Sequence, residues 1–558
     1  MSSNRTTGSG GICATGRTIA WWVTLATCGL LLSGCQKSAP ETQTGANGAT
    51  PAKSKPAIQA VLPEGQPRPN VVFILVDALR ADRLGVYGNR ARLTPTMDSL
   101  AATGVVFDHC ESAAPWTLPS VATIFTSYYP GVHKAKSYQT VQKMEDGLSA
   151  RQSVLSDDFQ TLAEALHEAG YETAGFCGNK FIRAPYGFAQ GFDHFDTTFA
   201  ENTVAGAKIN AAAIKWIDSR PEPHKPMFLY LHYMDVHGPY DAAPKFLDPL
   251  VKRVEEMKDK HMLTPAELHR MNAYLRKPPA KTSDPQRYNR LKAYREYWEA
   301  RYDAGVAEAD FYLGQMFGAL KKRGLLDNTL IVLLADHGEA LCEHGLWEHG
   351  YSLYQTDLHV PLVLHWKGVL PAGMHVRRLC SLIDVMPTLL EQLRIQPGDP
   401  QIQGHSLVPY ITGTLPDMPV ERFAEAIKAG PYQFAVFADM TKLIVTEVPP
   451  RRMPDGTLAR VGLRRQLFNL ATDPTEKFNI ADQNRGQVEM MTKLLQAIAT
   501  QNKNAKPHVV PQKRRVEPET IRKLEQLGYA GSSEDDQDEP AQTPQTRPSS
   551  APVKPPQP

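Results

Sequence analysis

Unbroken apolar runs that end in an acidic residue recur along the first two thirds of the chain. Residues 70–76 are followed by Asp77, and residues 330–335 are followed by Asp336. Runs without apolar–polar alternation are typical of strands buried on both faces of a parallel sheet. Each run therefore predicts a buried strand with a carboxylate at its carboxyl end, where open α/β sheets gather their ligands. A turn or helix cap is the other interpretation of a single Asp in this position.

The same pattern recurs between these two runs and after the second. It predicts strands at 170–177, 226–233 and 360–365 and an amphipathic helix at 302–324. Strands that alternate with helices favour an α/β fold, here a large mixed, mostly parallel sheet sandwiched by helices. We assign this domain to residues 69–395. Its strongly charged segment 246–301 is interpreted as a mostly solvated helical insertion.

A different pattern follows. A helix at 385–393 is succeeded by short strands predicted at 434–437, 441–448 and 466–470 and by a helix at 487–499. These elements predict a smaller C-terminal α+β subdomain over residues 396–531. Residues 532–558 are rich in Pro, Gln, Ser and acids, which is typical of a disordered tail.

The N-terminus has the pattern of an export signal. Arg5 and Arg17 precede an apolar run that is too short to span a bilayer comfortably, and Leu32-Ser33-Gly34-Cys35 resembles the lipobox of bacterial lipoproteins. Residues 1–35 are then a lipoprotein signal peptide, and 36–68 form a flexible tether. This predicts an exported protein, anchored to a bacterial membrane by lipid on Cys35 and facing the periplasm or cell exterior. A plain signal peptide or short anchor helix is the alternative.

Composition narrows the classes of partner. The 558 residues carry a formal net charge of only +2, which argues against nucleic acid as a partner. The four cysteines downstream of the lipobox show no metal-binding CxxC spacing, so disulfides and buried free thiols both remain open. These are Cys110, Cys177, Cys342 and Cys380.

A loop that leads into a helix places a hydroxyl at Thr117. Pro119 suits the first turn of a helix, and the apolar spacing continues to Thr126. Free backbone N–H groups and the helix dipole favour an anion at such a helix start. Thr117 is therefore a candidate nucleophile for a phosphate or sulfate ester. An ordinary loop-to-helix junction is the plainer interpretation.

Four of these residues can meet at one crevice. Asp77, Thr117, Asp336 and His337 would form a site of three oxygens and one nitrogen for a divalent cation. Such a cation would lower the pKa of the Thr117 hydroxyl and prepare it for attack.

At this point the chain resembles the sulfatase family within the alkaline phosphatase superfamily. The matching segments keep one order along the chain: Val76-Asp77, Thr94-Pro95 with Leu100-Ala101, Leu118-Pro119-Ser120, Gly170-Tyr171 with Thr173, Asp336-His337-Gly338-Glu339, Glu343-His344-Gly345 with Trp347, Val360-Pro361-Leu362, and Leu467-Phe468-Asn469-Leu470 with Asp473-Pro474 and Glu476. The resemblance implies the sulfatase fold and an ester hydrolase that uses a metal.

Departures from the family pattern bear on the chemistry. Sulfatases carry a Cys or Ser that is oxidised to formylglycine, followed by x-Pro-Ser-Arg, whereas this chain has Thr117 and Val121 at those positions. No formylglycine is expected, and in this superfamily a Thr nucleophile is typical of phosphodiesterases and phosphotransferases. One metal ion is expected, because Pro239 stands where two-metal relatives have a histidine. Ala78 and His337 favour Mn or Zn, with Ca as the other candidate.

The resemblance also implies roles around the substrate. His237 matches a histidine on the leaving-group side and is the candidate general acid, His349 replaces a lysine that binds a non-bridging oxygen, and Asn179 matches a donor to the transferred group. Arg80 and His232 are candidates for residues that contact the metal ligands without binding the metal themselves. The expected substrate is an anionic small-molecule, glycan or lipid-headgroup ester.

Three functions stay open on this basis. The first is cleavage of phosphate esters or diesters, or phosphoryl transfer. The second is sulfate ester hydrolysis without formylglycine. The third is an inactive sulfatase-like protein that binds an anionic glycan or lipid headgroup.

Overall fold

The computed structural model describes residues 59–144, 147–201, 206–251, 285–414, 421–425, 427–448, 462–507 and 510–516. The predicted signal peptide with Cys35, most of the tether 36–68, the middle of the insertion 246–301 and the tail 532–558 lie outside these residues. Within the described ranges, no helix has the length and apolar character needed to cross a membrane.

The largest sheet has eight strands and confirms the predicted fold class. Seven strands run parallel to one another, and Leu362–Trp366 runs antiparallel to both of its neighbours. In order across the sheet, the strands are Met374–Val376, Val105–Phe107, Leu362–Trp366, Thr329–Leu334, Asn70–Val76, Met227–Tyr233, Glu172–Cys177 and His194–Asp196.

The register of the central strands aligns their carboxyl ends. Asn70–Val76 lies between Thr329–Leu334 and Met227–Tyr233, and the last two strands are buried along their whole length. Leu75 lies opposite both Leu334 and His232. The polar residues that follow Asn70–Val76 and Thr329–Leu334 therefore emerge at one edge of the sheet.

Helices pack on the sheet in two groups. Pro285–Lys322 packs with Pro95–Ala102 and Gly206–Ser219, while Thr117–Thr126 packs with Leu162–Glu168 and Val385–Gln392. The remaining α-helices in the described residues are Pro130–His133, Pro244–Val251, Gln355–Leu358, Val408–Thr412 and Arg485–Asn504.

The helix predicted at 302–324 is longer than expected. It spans Pro285–Lys322 and so includes the last part of the segment assigned to the insertion. Tyr302, fully buried in this helix, donates its hydroxyl to the carbonyl of Ala78 at 2.7 Å and accepts from the N–H of Arg80 at 3.0 Å. The long helix therefore fixes the turn that follows Asp77.

The C-terminal region contains a four-stranded antiparallel sheet, in the order Glu421–Ala424, Gln433–Ala438, Thr441–Val448 and Gly462–Asn469. The first of these strands was not predicted. The helix Arg485–Asn504 packs against this sheet.

After this helix, the strand Lys513–Val516 pairs with Gly147–Ser153, which also pairs with Tyr138–Met144. The end of the described chain thus returns to the first domain.

Short strands lie in the loops around the main sheet: Cys110–Glu111, Ala340–Leu341, Trp347–Glu348, His359–Val360 and Cys380–Ser381.

Cys110 lies directly opposite Cys380 in neighbouring parallel strands. All four cysteines in the described part of the chain are free thiols, which answers the question that their spacing left open.

Candidate active site

Three of the four predicted ligands meet where the central strands end. Asp77 directly follows Asn70–Val76, whereas Asp336 and His337 follow Thr329–Leu334, and all three side chains are fully buried. The His337 Nε2 atom lies 3.5 Å from Asp77 Oδ1 and 3.5 Å from Asp336 Oδ2. Ala78 has a positive φ of 59°, and its N–H donates to Asp336 Oδ1 at 3.3 Å. The turn after the first strand therefore ties the two carboxylates together.

The candidate nucleophile lies beside this cluster. The sequence placed Thr117 just before the helix, whereas in the structure Thr117 is the first residue of the helix. Trp116, in an extended conformation, is the N-cap. Thr117 Oγ1 lies 3.2 Å from His337 Nε2 and 3.5 Å from Asp77 Oδ2. One turn into the helix, Ser120 donates to the carbonyl of Asp336 at 2.7 Å. The helix start is therefore fixed to the strand end that carries the second carboxylate.

Asp77 Oδ2 is held by two further side chains. It accepts from Asn179 Nδ2 at 2.7 Å, and it lies 2.9 Å from His232 Nε2. Asn179 Nδ2 also lies 3.4 Å from Thr117 Oγ1, so this amide bridges the carboxylate and the hydroxyl. The opposite nitrogen of His232 is bonded to the Tyr230 hydroxyl at 2.7 Å. These contacts orient the Asp77 carboxylate.

The arrangement fits a divalent cation. Asp77 Oδ1 and Asp336 Oδ2 are buried atoms without a hydrogen-bond partner, and both face His337 Nε2. Leaving such oxygens unpartnered in the interior is costly, and a cation would compensate them. Ligand atoms of Asp77, His232 and Asp336 also lie within 4.8 Å of one another. Two carboxylates with imidazole nitrogen suit Mn or Zn better than an all-oxygen site would.

The charges of the cluster support the same interpretation. Burial raises the pKa of Asp336, and the neighbouring Asp77 carboxylate raises it further. For Asp77, burial alone would raise the pKa, but His237, His232 and His337 outweigh it and hold the pKa well below the usual range. Two buried carboxylates that repel each other gain most from a shared cation.

Three imidazoles form a row that leads away from the cluster. The ring centroids of His337 and His349 are 4.2 Å apart, and those of His349 and His237 are 5.0 Å apart. Each ring is held through Nδ1. His337 and His237 contact the carbonyl of Gly338 and Gly238, respectively, both at 2.8 Å, and His349 contacts Glu339 Oε1 at 3.0 Å. The two histidines predicted to act on the substrate therefore lie next to the predicted metal ligands.

Burial keeps these outer histidines neutral. It lowers the pKa of His237 and lowers the pKa of His349 well below its usual value, with His337 adding to the second effect. Burial also raises the pKa of Glu339 well above its usual value, so the His349–Glu339 pair carries little net charge. His237 would act as an acid only after an anion in the site had raised its proton affinity.

Arg80, predicted as a neighbour of the ligands, lies further back. It pairs with Asp82 at 2.7 Å and Glu343 at 3.0 Å and donates to the carbonyl of Glu339. His232, predicted with the same outer role, contacts Asp77 directly.

A lysine near the site was not predicted to lie there. Lys428 follows the first strand of the C-terminal sheet, and its backbone N–H donates to the carbonyl of Gly350 at 2.8 Å, next to His349. Burial lowers the pKa of Lys428 to about 7, although the neighbouring acids Glu348 and Glu339 act in the opposite direction. No motif or spacing marks this lysine, because its position depends on how the C-terminal sheet packs.

Comparison with known proteins identifies the family. The sulfatase family model matches residues 69–395, which is more than half of the chain. The N-acetylglucosamine-6-O-sulfatase of Bacteroides thetaiotaomicron is 26% identical over 413 residues, covering 62% of this chain and 71% of that protein.

Solved structures share the fold. A protein in complex with its substrate D-glucosamine-2-N,6-O-disulfate superimposes with a TM-score of 0.61 at 22% identity, covering 79% of this chain and 99% of the other. The phosphonate monoester hydrolase of Agrobacterium radiobacter gives 0.57 at 20% identity, covering 78% and 96%. With the family match across the sheet and its strand-end site, the chain belongs to the sulfatase family of hydrolases.

Proposed function

We propose that the protein is a metal-dependent ester hydrolase whose nucleophile is the hydroxyl of Thr117, and that phosphate esters or diesters are its preferred substrates. The observation that carries this proposal is the position of Thr117 Oγ1. It lies at the start of a fully buried helix, 3.2 Å from His337 Nε2 and 3.4 Å from Asn179 Nδ2.

Each residue of the site has a separate role in the proposed reaction. A divalent cation held by Asp77, Asp336 and His337 would supply positive charge that lowers the pKa of the Thr117 hydroxyl. Once this hydroxyl has lost its proton to solvent, Oγ1 forms a bond to phosphorus as the bond to the leaving oxygen breaks. His237, which takes up a proton at Nε2 once the anionic substrate is bound, gives that proton to the leaving oxygen. Asn179 and His349 hold the non-bridging oxygens. Attack by water on phosphorus then frees Thr117, or another hydroxyl accepts the group.

The identity of the nucleophile favours phosphorus over sulfur. A formylglycine hydrate releases sulfate by collapse of its hemiacetal, and a threonine ester has no such route. A sulfo-threonine must wait for water to attack sulfur, whereas a phospho-threonine is hydrolysed by in-line attack of water on phosphorus.

Sulfate ester hydrolysis is the second candidate, because the sequence relatives favour it. The N-acetylglucosamine-6-O-sulfatase is named for action on a sulfated sugar. We therefore propose an anionic ester as the substrate class, with a glycan ester as the first type to test and a lipid headgroup as the second.

A paired assay separates these functions. Protein lacking residues 1–35 is supplied with Mn, Zn or Ca and given an aryl sulfate, an aryl phosphate and an aryl phosphodiester. Faster turnover of either phosphate compound is expected. Faster sulfate turnover would contradict the preference for phosphorus. No turnover together with no bound metal would favour an inactive binding protein.

We also propose that the protein is exported and held at a bacterial membrane through lipid on Cys35. The lipobox-like Leu32-Ser33-Gly34-Cys35 supports this. Replacement of Cys35 by Ala should move the protein from the membrane fraction to the soluble fraction, and an unchanged distribution would contradict the anchor.

A further inference from the structure

We propose that Lys428, contributed by the C-terminal sheet, binds the anionic group of the substrate on the side of the site that faces away from the carboxylates. This inference rests on the proposed function and adds a substrate-binding residue to it. It also assigns the C-terminal region a part in the site itself.

The backbone brings Lys428 to this place. Its N–H donates to the carbonyl of Gly350 at 2.8 Å, and the next residue, Ala429, makes a longer contact of 3.5 Å with the same carbonyl. Just upstream, the N–H of Glu425 donates to the carbonyl of Ala113 at 3.0 Å, in the loop that precedes Thr117. The segment therefore crosses both loops that border the site.

The side chain of Lys428 lies closely over Gly350. A Cβ atom built at Gly350 would meet Lys428 Cβ at 2.8 Å and Lys428 Cδ at 3.2 Å, and it would lie 3.6 Å from Trp116 Cβ. Gly350 also has a φ of +88°, so this position disfavours any side chain on two grounds. The lysine stem thus lies over the residue after His349, and the same side of Gly350 is close to the residue before Thr117.

Charge at this side of the site supports a role in anion binding. Burial is the main cause that lowers the pKa of both His237 and His349, and the positive charge of Lys428 lowers it further. The titratable groups that interact electrostatically with Lys428 are therefore these two imidazoles together with the acids Glu348 and Glu339. Burial favours the neutral form of both imidazoles, and the Nδ1–H of His237 is already bonded to the carbonyl of Gly238, so neutral His237 presents only an acceptor nitrogen to the substrate. A phosphoryl or sulfuryl oxygen therefore gains a charged donor from Lys428.

A purely structural ion pair with Glu348 is the competing explanation. That pair would hold the loop in place, and its loss would lower stability without a specific effect on the binding of anions. Measurements of anion affinity and thermal stability on the same variants distinguish the two explanations.

The test uses Lys428→Met and Lys428→Gln in the full chain, with Lys428→Arg as the charge-preserving variant. Lys493→Met is the matched control, because Lys493 lies in the same region with its side chain 73% exposed. Inhibition by inorganic phosphate and inorganic sulfate is measured beside kcat and KM for the aryl phosphate. Both neutral variants should weaken anion inhibition and lower kcat/KM about 10- to 100-fold, as expected for a lost charged hydrogen bond.

Lys428→Arg should recover most of this loss, and Lys493→Met should show none. The pH profile adds a readout that a structural role would not produce. In the native protein kcat/KM should fall on the alkaline side at a pH below the usual lysine range, and Lys428→Arg should lack this fall. Unchanged phosphate inhibition in both neutral variants would overturn the proposal, as would equal losses in Lys428→Met and Lys428→Arg with a lowered Tm.

Direct phosphate binding separates this inference from the proposed function. Binding of inorganic phosphate to Thr117→Ala, measured by calorimetry with and without Lys428→Met, needs no turnover. A weaker affinity in the double variant supports Lys428 even if Thr117 is not the nucleophile. Equal affinities overturn the role of Lys428 and leave the role of Thr117 intact.

Discussion

The candidate site has two sides that are built differently. The strand-end side consists of Asp77, Asp336 and His337, which follow adjacent strands of the main sheet. The loop side consists of His237, His349 and Lys428, which come from two loops and from the segment after the first C-terminal strand. The first side is fixed by the register of a buried sheet, and the second depends on contacts between segments that are far apart in sequence.

The two sides also differ in charge and backbone conformation. The strand-end side carries two buried carboxylates with unpartnered oxygens. The loop side carries neutral imidazoles and a lysine, and positive φ angles occur at Glu348 and Gly350 on either side of His349. Related proteins that share the sheet can therefore keep the cation site, while differences in their loops change which substrate is bound.

The largest effect is expected at Thr117, between the two sides. Thr117→Ala should lower kcat by at least about 1,000-fold, because it removes the attacking oxygen. Thr117→Ser keeps a hydroxyl at the helix start and is the matched control. Circular dichroism and Tm should remain close to those of the native protein. Turnover by Thr117→Ala at the native rate would contradict a covalent mechanism.

On the strand-end side, Asp336→Asn should abolish turnover to a similar degree and also reduce the metal content. The reason is that Asp336 Oδ2 is one of the two unpartnered carboxylate oxygens. Elemental analysis of protein purified without chelators provides the measurement. A full complement of tightly bound metal in this variant would argue against Asp336 as a ligand.

On the loop side, a smaller and substrate-dependent loss is expected for His237→Gln. With a poor leaving group, kcat/KM should fall about 100-fold or more, because the departing oxygen needs a proton. With a nitrophenyl leaving group, which needs no proton, the loss should be far smaller. The same loss with both leaving groups would remove His237 from the role of acid.

The smallest effect concerns a scaffold histidine outside both sides. His133 lies against the helix of Thr117, with Nδ1 accepting from the N–H of Ala135 and Nε2 3.1 Å from Thr123 Oγ1. Burial lowers the pKa of His133 to about 3. The unfolded chain therefore takes up a proton below about pH 6.5, where the folded protein does not, and stability falls as the pH falls.

For this histidine the expected loss is about 2 kcal/mol in the free energy of unfolding between pH 6.5 and 5. His133→Gln should remove this part of the pH dependence. Urea unfolding of both proteins at several pH values provides the measurement, and identical slopes would show that His133 does not titrate as described.

The strand-end side could largely be predicted from sequence. Apolar runs marked the two central strands, and parallel strands present their carboxyl ends at one edge, so Asp77 and Asp336 were expected to meet. His232 was harder to assign, because the sequence does not say which residue of a fully buried strand faces a neighbouring acid. His337 was expected beside them because it directly follows Asp336, and Thr117 because a hydroxyl at a helix start could reach the same crevice.

The loop side could be predicted only in part. His237 and His349 were candidates through the resemblance alone. Lys428 lies 78 residues beyond Gly350 in the numbering, and their contact exists only because the C-terminal sheet returns to the site. Its first strand, Glu421–Ala424, has no distinctive alternation in the sequence. Long-range packing, which local patterns do not encode, decides this half of the site.

Chemical trapping on Thr117 tests the mechanism at its first covalent step. The protein is mixed with an excess of aryl phosphate, quenched in acid within milliseconds and digested, and the peptide that contains Thr117 is examined by accurate-mass spectrometry. A phosphoryl group on Thr117, absent after the same treatment of Thr117→Ala, is the expected result. Turnover without any adduct on this peptide, at quench times shorter than one catalytic cycle, would contradict the assignment of Thr117 as the nucleophile.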